Sequence, residues 1–330
     1  MIQIVIFVIF TFAIQPTYAS TKLAFGSCLH QGESMPILSA IKKERPELFV
    51  MLGDNVYGSF EAEHRWPMAR AYRRQFLNMK ALKFEVPTIG IWDDGDYGTN
   101  DGGSDFAHQE QSKSLFLDFW KLSQSKKIRK RAGVYFEQRV TTSLGEVQIL
   151  MLDVRSFKSA WKKDPSGEMT RRYQPDWSEG KTILGGQQWD WLEQRLREPA
   201  VFRILVSPLQ VLAAGHFWEC WQMFPLERQR LVKLIESLGL RNLLIISGDR
   251  HRATYYKLKT RSGLNILEMT TSALNRPAVD RDEPGPLRLH KLYVKENYGL
   301  VEVLGERRQV RIQLKDVNGK TLYGHHLFDL

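Results

Sequence analysis

Only two cysteines, Cys28 and Cys220, occur in 330 residues. That is too few for a disulfide-framed scaffold or a cysteine-rich zinc module. No repeat period and no low-complexity tract breaks the chain, which sets aside solenoids, propellers and long disordered linkers. Beyond the first residues no apolar run is long enough to cross a bilayer. No helix-turn-helix, zinc finger or aromatic RNA-binding motif is visible, so specific nucleic-acid binding has no carrier. The net charge of +10 still favours anionic partners, such as phosphorylated small molecules or lipid headgroups.

The one long apolar stretch is at the start. Residues 1–19 run MIQIVIFVIFTFAIQPTYA, apolar up to Ile14 and then small and polar. Thr17-Tyr18-Ala19 has the form of a signal-peptidase site with Ala19 as the last residue removed. The absence of Lys or Arg before the apolar run departs from the usual signal, and a retained anchor or a buried strand are the alternatives. The expectation is a cleaved signal peptide over 1–19 and a mature domain over 20–330, periplasmic or secreted, with no membrane span after cleavage.

The rest alternates short apolar runs with amphipathic stretches. Strands are expected at 22–25, 48–52 and 86–92, with helices at 36–43, 65–80 and 108–121. An antiparallel pair at 134–139 and 147–154 precedes a polar excursion over 158–181. Loops of that length usually serve a binding site or are disordered. Helices at 186–197 and 225–238 alternate with strands at 202–206 and 242–247. The end turns to strands at 254–258, 265–270, 298–304, 310–315 and 321–328. The pattern predicts an α/β fold of two packed sheets flanked by helices, β-rich toward its C-terminus.

Three of these strands end in acids: Leu52-Gly53-Asp54-Asn55-Val56-Tyr57, Ile91-Trp92-Asp93-Asp94 and Ile246-Ser247-Gly248-Asp249-Arg250-His251. A fourth ends in Phe25-Gly26-Ser27-Cys28. Strand C-termini line the ligand crevice of open α/β sheets, so these loops can converge although distant in sequence. The third is the densest: Trp92-Asp93-Asp94-Gly95-Asp96-Tyr97-Gly98-Thr99-Asn100-Asp101 carries four carboxylates, which repel unless a cation gathers them. For Cys28, a disulfide with Cys220 and a metal-ligand role both remain open at this point.

These motifs, in this order, resemble the alkaline phosphatase D (PhoD-like) branch of the calcineurin-like metallophosphoesterases. Leu152-Asp153-Val154-Arg155 belongs to the same set, with weaker matches at 184–191, Ser207-Pro208-Leu209-Gln210 and 221–230. The resemblance implies a four-layer αββα sandwich with a binuclear or multinuclear metal centre, Fe3+ with Ca2+ or another divalent cation. It implies Cys28, Asp54, Tyr57, Asp94, Asp249 and His251 as metal ligands, with Asp54 bridging, and it turns the reading of Cys28 toward a ligand. Thiolate, phenolate and imidazole suit iron, while carboxylates suit a hard divalent ion. The implied reaction is hydrolysis of phosphoric mono- or diesters by a metal-bound hydroxide, on a phosphorylated small molecule or a phospholipid-type substrate. Asp94, Asp96, Arg155 and Asn100 are the implied catalytic residues. Arg155 is the expected phosphate clamp, since its fork matches two oxygens, with Asn100 and Arg250 as weaker candidates for the same work; a surface Arg paired with a carboxylate is the alternative for Arg155. A monomer is expected.

One position departs from the family pattern. Trp-Asp-Asp-His is usual at the third motif, and Gly95 stands where the His belongs. Losing a general acid costs about a hundred- to ten-thousandfold in rate, least for esters with good leaving groups. His30, His64 and His108 are the candidate replacements, and a degenerate protein that binds a phosphorylated ligand without efficient turnover is the alternative reading.

Overall fold

The computed structural model describes residues 20–61, 63–122, 126–168, 170–279 and 282–330; the expected signal segment 1–19 lies outside them. Two six-stranded mixed sheets carry the architecture. The first is ordered β12-β11-β10-β1-β2-β3, from β1 (Thr21–Gly26), β2 (Leu48–Leu52), β3 (Thr88–Ile91), β10 (Asn297–Leu304), β11 (Gln309–Asp316) and β12 (Thr321–Asp329). The second is ordered β4-β5-β6-β7-β9-β8, from β4 (Phe136–Thr142), β5 (Gly145–Met151), β6 (Phe202–Ser207), β7 (Leu243–Ser247), β8 (Thr254–Lys259) and β9 (Asn265–Thr270).

Side-chain alternation shows why the sheets stack. Leu23 and Phe25 of β1, Val50 and Leu52 of β2, Ile149 and Met151 of β5 and Ile204 and Val206 of β6 meet in one core between the sheets. The intervening residues face outward. Ala24, Phe49 and Met51 pack with Ile37, Leu38 and Ile41 of α1 (Pro36–Glu44). Leu150 and Leu205 pack with Trp189 and Leu192 of α6 (Gly185–Arg197) and Leu231 and Ile235 of α7 (Pro225–Ser237). Strands buried on both faces read as continuous apolar runs, as these do. The result is the expected four-layer αββα sandwich.

β1, β2 and β3 run parallel, as do β5, β6, β7 and β9. Their C-terminal ends therefore open toward one edge of the sandwich. α2 (Met68–Ala81), α4 (Gln109–Phe119) and α5 (Lys126–Lys130) complete the side beside β3. The third motif, read from sequence as a turn, includes a one-turn helix, α3 (Asp94–Tyr97). Among the described residues no helix is long and apolar enough to cross a membrane.

Candidate metal centre

The loops after β1, β2, β3 and β7 deliver the expected ligands to one place. Cys28 Sγ lies 3.6 Å from Asp54 Oδ2, and one ligand atom each of Cys28, Asp54 and His251 falls within 4.8 Å of the others. Asp54, Asp93 and Asp94 form a second such group, and Asp94, Asp101 and Glu219 a third. Asp54 is shared by the first two and Asp94 by the last two, the connectivity of a chain of adjoining cation sites. The Tyr57 hydroxyl stands 3.4 Å from His251 Nε2.

Backbone geometry marks the same residues. Cys28, Asp54, Asp249 and His251 have φ of 59°, 51°, 64° and 56°, a region that non-glycine residues seldom occupy and that concentrates at functional sites. Hydrogen bonds hold the loops in place. The Leu29 amide donates to the Asp54 carbonyl at 2.9 Å, and the His251 amide donates to Ser272 Oγ at 2.9 Å. Gly53 has φ of 105°, and a Cβ there would meet Asp93 Cβ at 2.5 Å. Only glycine lets the second and third motifs approach this closely.

Charge argues for a cation. Burial, then Asp94 and then Cys28 hold the Asp54 carboxyl well above the usual carboxylate range. Burial, with Glu219 and Asp93 adding, does the same to Asp249. Burial pushes the Cys28 thiol up to about 11 and lowers His251, favouring its neutral form. Asp249 Oδ2 and Asp93 Oδ2 are buried without a hydrogen-bond partner, a costly state for a carboxylate. His251 Nδ1 is bonded to the Arg276 carbonyl, so Nδ1 carries the proton and Nε2 keeps its lone pair. This is the outer support that a ligating imidazole usually has. Thiol, phenol, imidazole and unsatisfied carboxylates together fit a centre of hard and borderline cations.

An open cleft of about 1480 Å3 covers this floor. Asp54, Tyr57, Asp94, Asn100, Asp249 and His251 line it. His30 and His64 also line it; His108 instead stacks on Phe60 at 4.9 Å. Part of the polar excursion forms a wall, with Arg171 and Arg172 on the lining. Trp161 fastens it by stacking on Tyr173 at 5.2 Å and donating to the Asp101 carbonyl at 3.0 Å.

Two expectations require correction, and the disulfide left open for Cys28 is closed. Arg155 is neither a clamp facing the cleft nor a surface residue: it is fully buried. Its Nε donates to Asp93 Oδ1 at 2.5 Å and its Nη1 to Glu219 Oε1 at 2.7 Å, so its fork is already occupied. Asp96 is also buried and does not line the cleft. Its carboxylate accepts from the Asn55 amide at 3.1 Å, Asn55 Nδ2 at 2.9 Å, the Tyr72 hydroxyl at 3.2 Å and the Asp93 amide at 3.1 Å, which makes it a brace for α3. Cys28 and Cys220 are both free thiols; Cys220 belongs to the outer core of the second sheet.

Gly95 proves to be more than a lost histidine. Its amide donates to Asp54 Oδ1 at 2.9 Å, and a Cβ at this position would lie 2.6 Å from the Val56 carbonyl oxygen and 2.7 Å from Asp54 Oδ1. The second motif has closed on the space that a side chain would use.

Glu219 and Asp101, acids of the third donor group, are residues that sequence reasoning did not assign. An acid inside Phe217-Trp218-Glu219-Cys220-Trp221 was the available signal, since an acid in an apolar setting needs a partner. Asp101 had none beyond its place in the acidic run.

Two stacked sheets with carboxylates, a thiol and an imidazole gathered at the ends of their parallel strands have the metallophosphoesterase fold. Within it, the PhoD-like phosphatase family model matches residues 23–315, and the chain belongs to that family. Among solved structures, PhoD is similar at TM-score 0.67 and 18% identity, over 94% of this chain and 68% of that one. Purple acid phosphatase PPD1 from yellow lupin (Lupinus luteus) is similar at TM-score 0.62 and 8% identity, over 95% and 54%. GAP50, described as the anchor in the inner membrane complex of Plasmodium, is similar at TM-score 0.56 and 13% identity, over 94% and 89%. At these identities the likeness is one of fold. No curated protein matches the chain.

Proposed function

We propose that this chain is an exported, monomeric, cation-dependent hydrolase of phosphoric mono- or diesters, acting on a phosphorylated small molecule or phospholipid-type substrate. The observation that carries the reading is the run of three donor groups linked through Asp54 and Asp94 on the floor of one cleft. Cys28, Tyr57 and His251 would hold an iron; Asp54 would bridge; Asp94 and Asp249 would hold calcium or another divalent ion. Bound cations would supply Lewis acidity and an activated water. The protein's own part is to orient these donors, to present Asn100 to the phosphoryl oxygens and to keep the ester in line. Export rests on the signal-peptide form of residues 1–19, with cleavage after Ala19.

The test is metal analysis of purified protein followed by paired assays with 4-nitrophenyl phosphate and bis(4-nitrophenyl) phosphate. Iron plus a divalent ion, with turnover of at least one ester, is the expected result. Metal-replete protein that turns over neither ester defeats the hydrolase reading.

Gly95 favours one second reading, a phosphate-ligand binder of the same fold with little turnover; a likeness in fold to a protein described as an anchor is compatible with it. Metal-replete protein that binds inorganic phosphate by calorimetry but hydrolyses neither ester would select it.

A further inference from the structure

With Arg155 committed to Asp93 and Glu219, the centre lacks the cation that sequence suggested for the phosphoryl group. An anionic ester still gains from positive charge beside its equatorial oxygens. Most other arginines of the cleft are engaged as well; Arg65, which also lines it without an ion pair among the described residues, lies over its own neighbour Trp66 at 5.8 Å, away from the donors of the centre. Arg171 pairs with Asp164 at 3.1 Å and Arg172 with Asp101 at 2.8 Å. Arg250 and Arg252 share one oxygen of Glu283, at 2.9 and 3.1 Å.

Arg276 differs. It lines the cleft and is exposed, and among the described residues it forms no ion pair with a carboxylate. Its guanidinium carbon stands 4.3 Å from the centroid of the Tyr57 ring. Stacking uses the face of the guanidinium and leaves its edge N–H groups free to donate. Its backbone is pinned independently. The His30 amide donates to Asn275 Oδ1 at 2.6 Å, Asn275 Nδ2 returns to the His30 carbonyl at 3.0 Å, and Pro277 restricts the backbone of the residue before it. The Arg276 carbonyl, not its side chain, holds His251.

We propose that Arg276 binds the phosphoryl group of the substrate, taking the place that Arg155 cannot fill. The assignment rests on the hydrolase reading above. A guanidinium held over Tyr57, beside the His251 donor and unopposed by a carboxylate among the described residues, is pre-organised for two oxygens of one phosphoryl group.

The experiment uses the full metal-replete protein and the variants Arg276→Ala and Arg276→Lys. It reads KM and kcat for the better nitrophenyl ester, the inhibition constant of inorganic phosphate, and bound metal. Arg276→Ala should raise KM and the phosphate inhibition constant roughly ten- to a hundredfold, the range of one lost charged hydrogen bond, with metal content unchanged; Arg276→Lys should recover part of the loss. Unchanged KM and phosphate inhibition in Arg276→Ala would overturn the assignment. So would a loss that follows falling metal content and disappears when metal is restored, because the side chain would then act only through Tyr57. If wild type hydrolyses neither ester, the hydrolase reading fails by itself. Calorimetry with inorganic phosphate then decides Arg276, which stands if the alanine variant binds at least tenfold more weakly and falls if it binds equally.

Discussion

At the scale of the residue, Gly95 governs how the site is to be understood. From sequence alone it is a missing proton donor, and Gly95→His would be the natural repair. The structure reverses that expectation. A Cβ would press on a main-chain carbonyl at 2.6 Å and on the shared carboxylate of Asp54 at 2.7 Å, and neither can move without shifting the ligand loop. Overpacking of this kind costs typically about 1–3 kcal/mol. We expect Gly95→Ala and Gly95→His to lower thermal stability and bound metal together, with no gain in turnover, read by calorimetry and metal analysis. A rise in turnover at wild-type metal content would show that the loop yields and that the site was only short of a donor. The same scale separates the two arginines that matter. Arg155 has its donors spent on buried carboxylates, whereas Arg276 meets no carboxylate among the described residues and lines the cleft.

At the scale of the element, the site is held by strand-end loops tied across the two sheets. Trp92, fully buried after β3, donates its indole N–H to Asp153 Oδ1 at 2.8 Å, just after β5. Asp153 also accepts from the Val134 amide at 2.8 Å and the Ser156 hydroxyl at 2.7 Å. Arg155 extends the tie to Glu219, on the loop between β6 and α7. Removing the cation from a buried network leaves its carboxylates uncompensated, at a cost of about 3–5 kcal/mol. Arg155→Met should therefore lower the unfolding free energy read from urea denaturation by an amount in that range and weaken metal retention, while KM stays near wild type once metal is saturating. A variant as stable as wild type, with KM raised at full metal occupancy, would return Arg155 to the clamp role.

At the scale of the whole molecule, the buried acids tie stability to pH and to cations. Burial pushes Asp96 from an ordinary 3.8 up to about 7, and Asp54 and Asp249 rise in the same direction. An acid raised on folding keeps its proton in the native chain after the unfolded chain has lost it. Unfolding then releases a proton, so this contribution is fully present below about pH 4 and is lost as pH climbs through about 7. Cations act oppositely, because they bind the ionised acids and the thiolate and so displace protons. The melting temperature of chelator-treated protein should fall between pH 5 and pH 7.5, and the gain on adding metal should widen over the same interval. A gain independent of pH would mean that the acids are ionised before metal arrives.

Much of this protein was legible in its sequence because local physics wrote it there. Double-faced apolar runs required two buried sheets, and acids placed after glycine or tryptophan at strand ends required a common edge. The family resemblance then supplied the donor set for that edge. What the sequence by itself could not decide was direction and partnership. Asp96 and Arg155 look no different in a linear chain from Asp94 and Arg276. Only packing turned the first pair inward, onto Asn55, Tyr72, Asp93 and Glu219, and left the second pair lining the cleft. Glu219 joined the centre across more than a hundred residues of chain, through contacts between loops that no periodicity encodes. Gly95 could be seen as an absence in the sequence; that it is also a steric requirement depended on where Val56 and Asp54 came to rest.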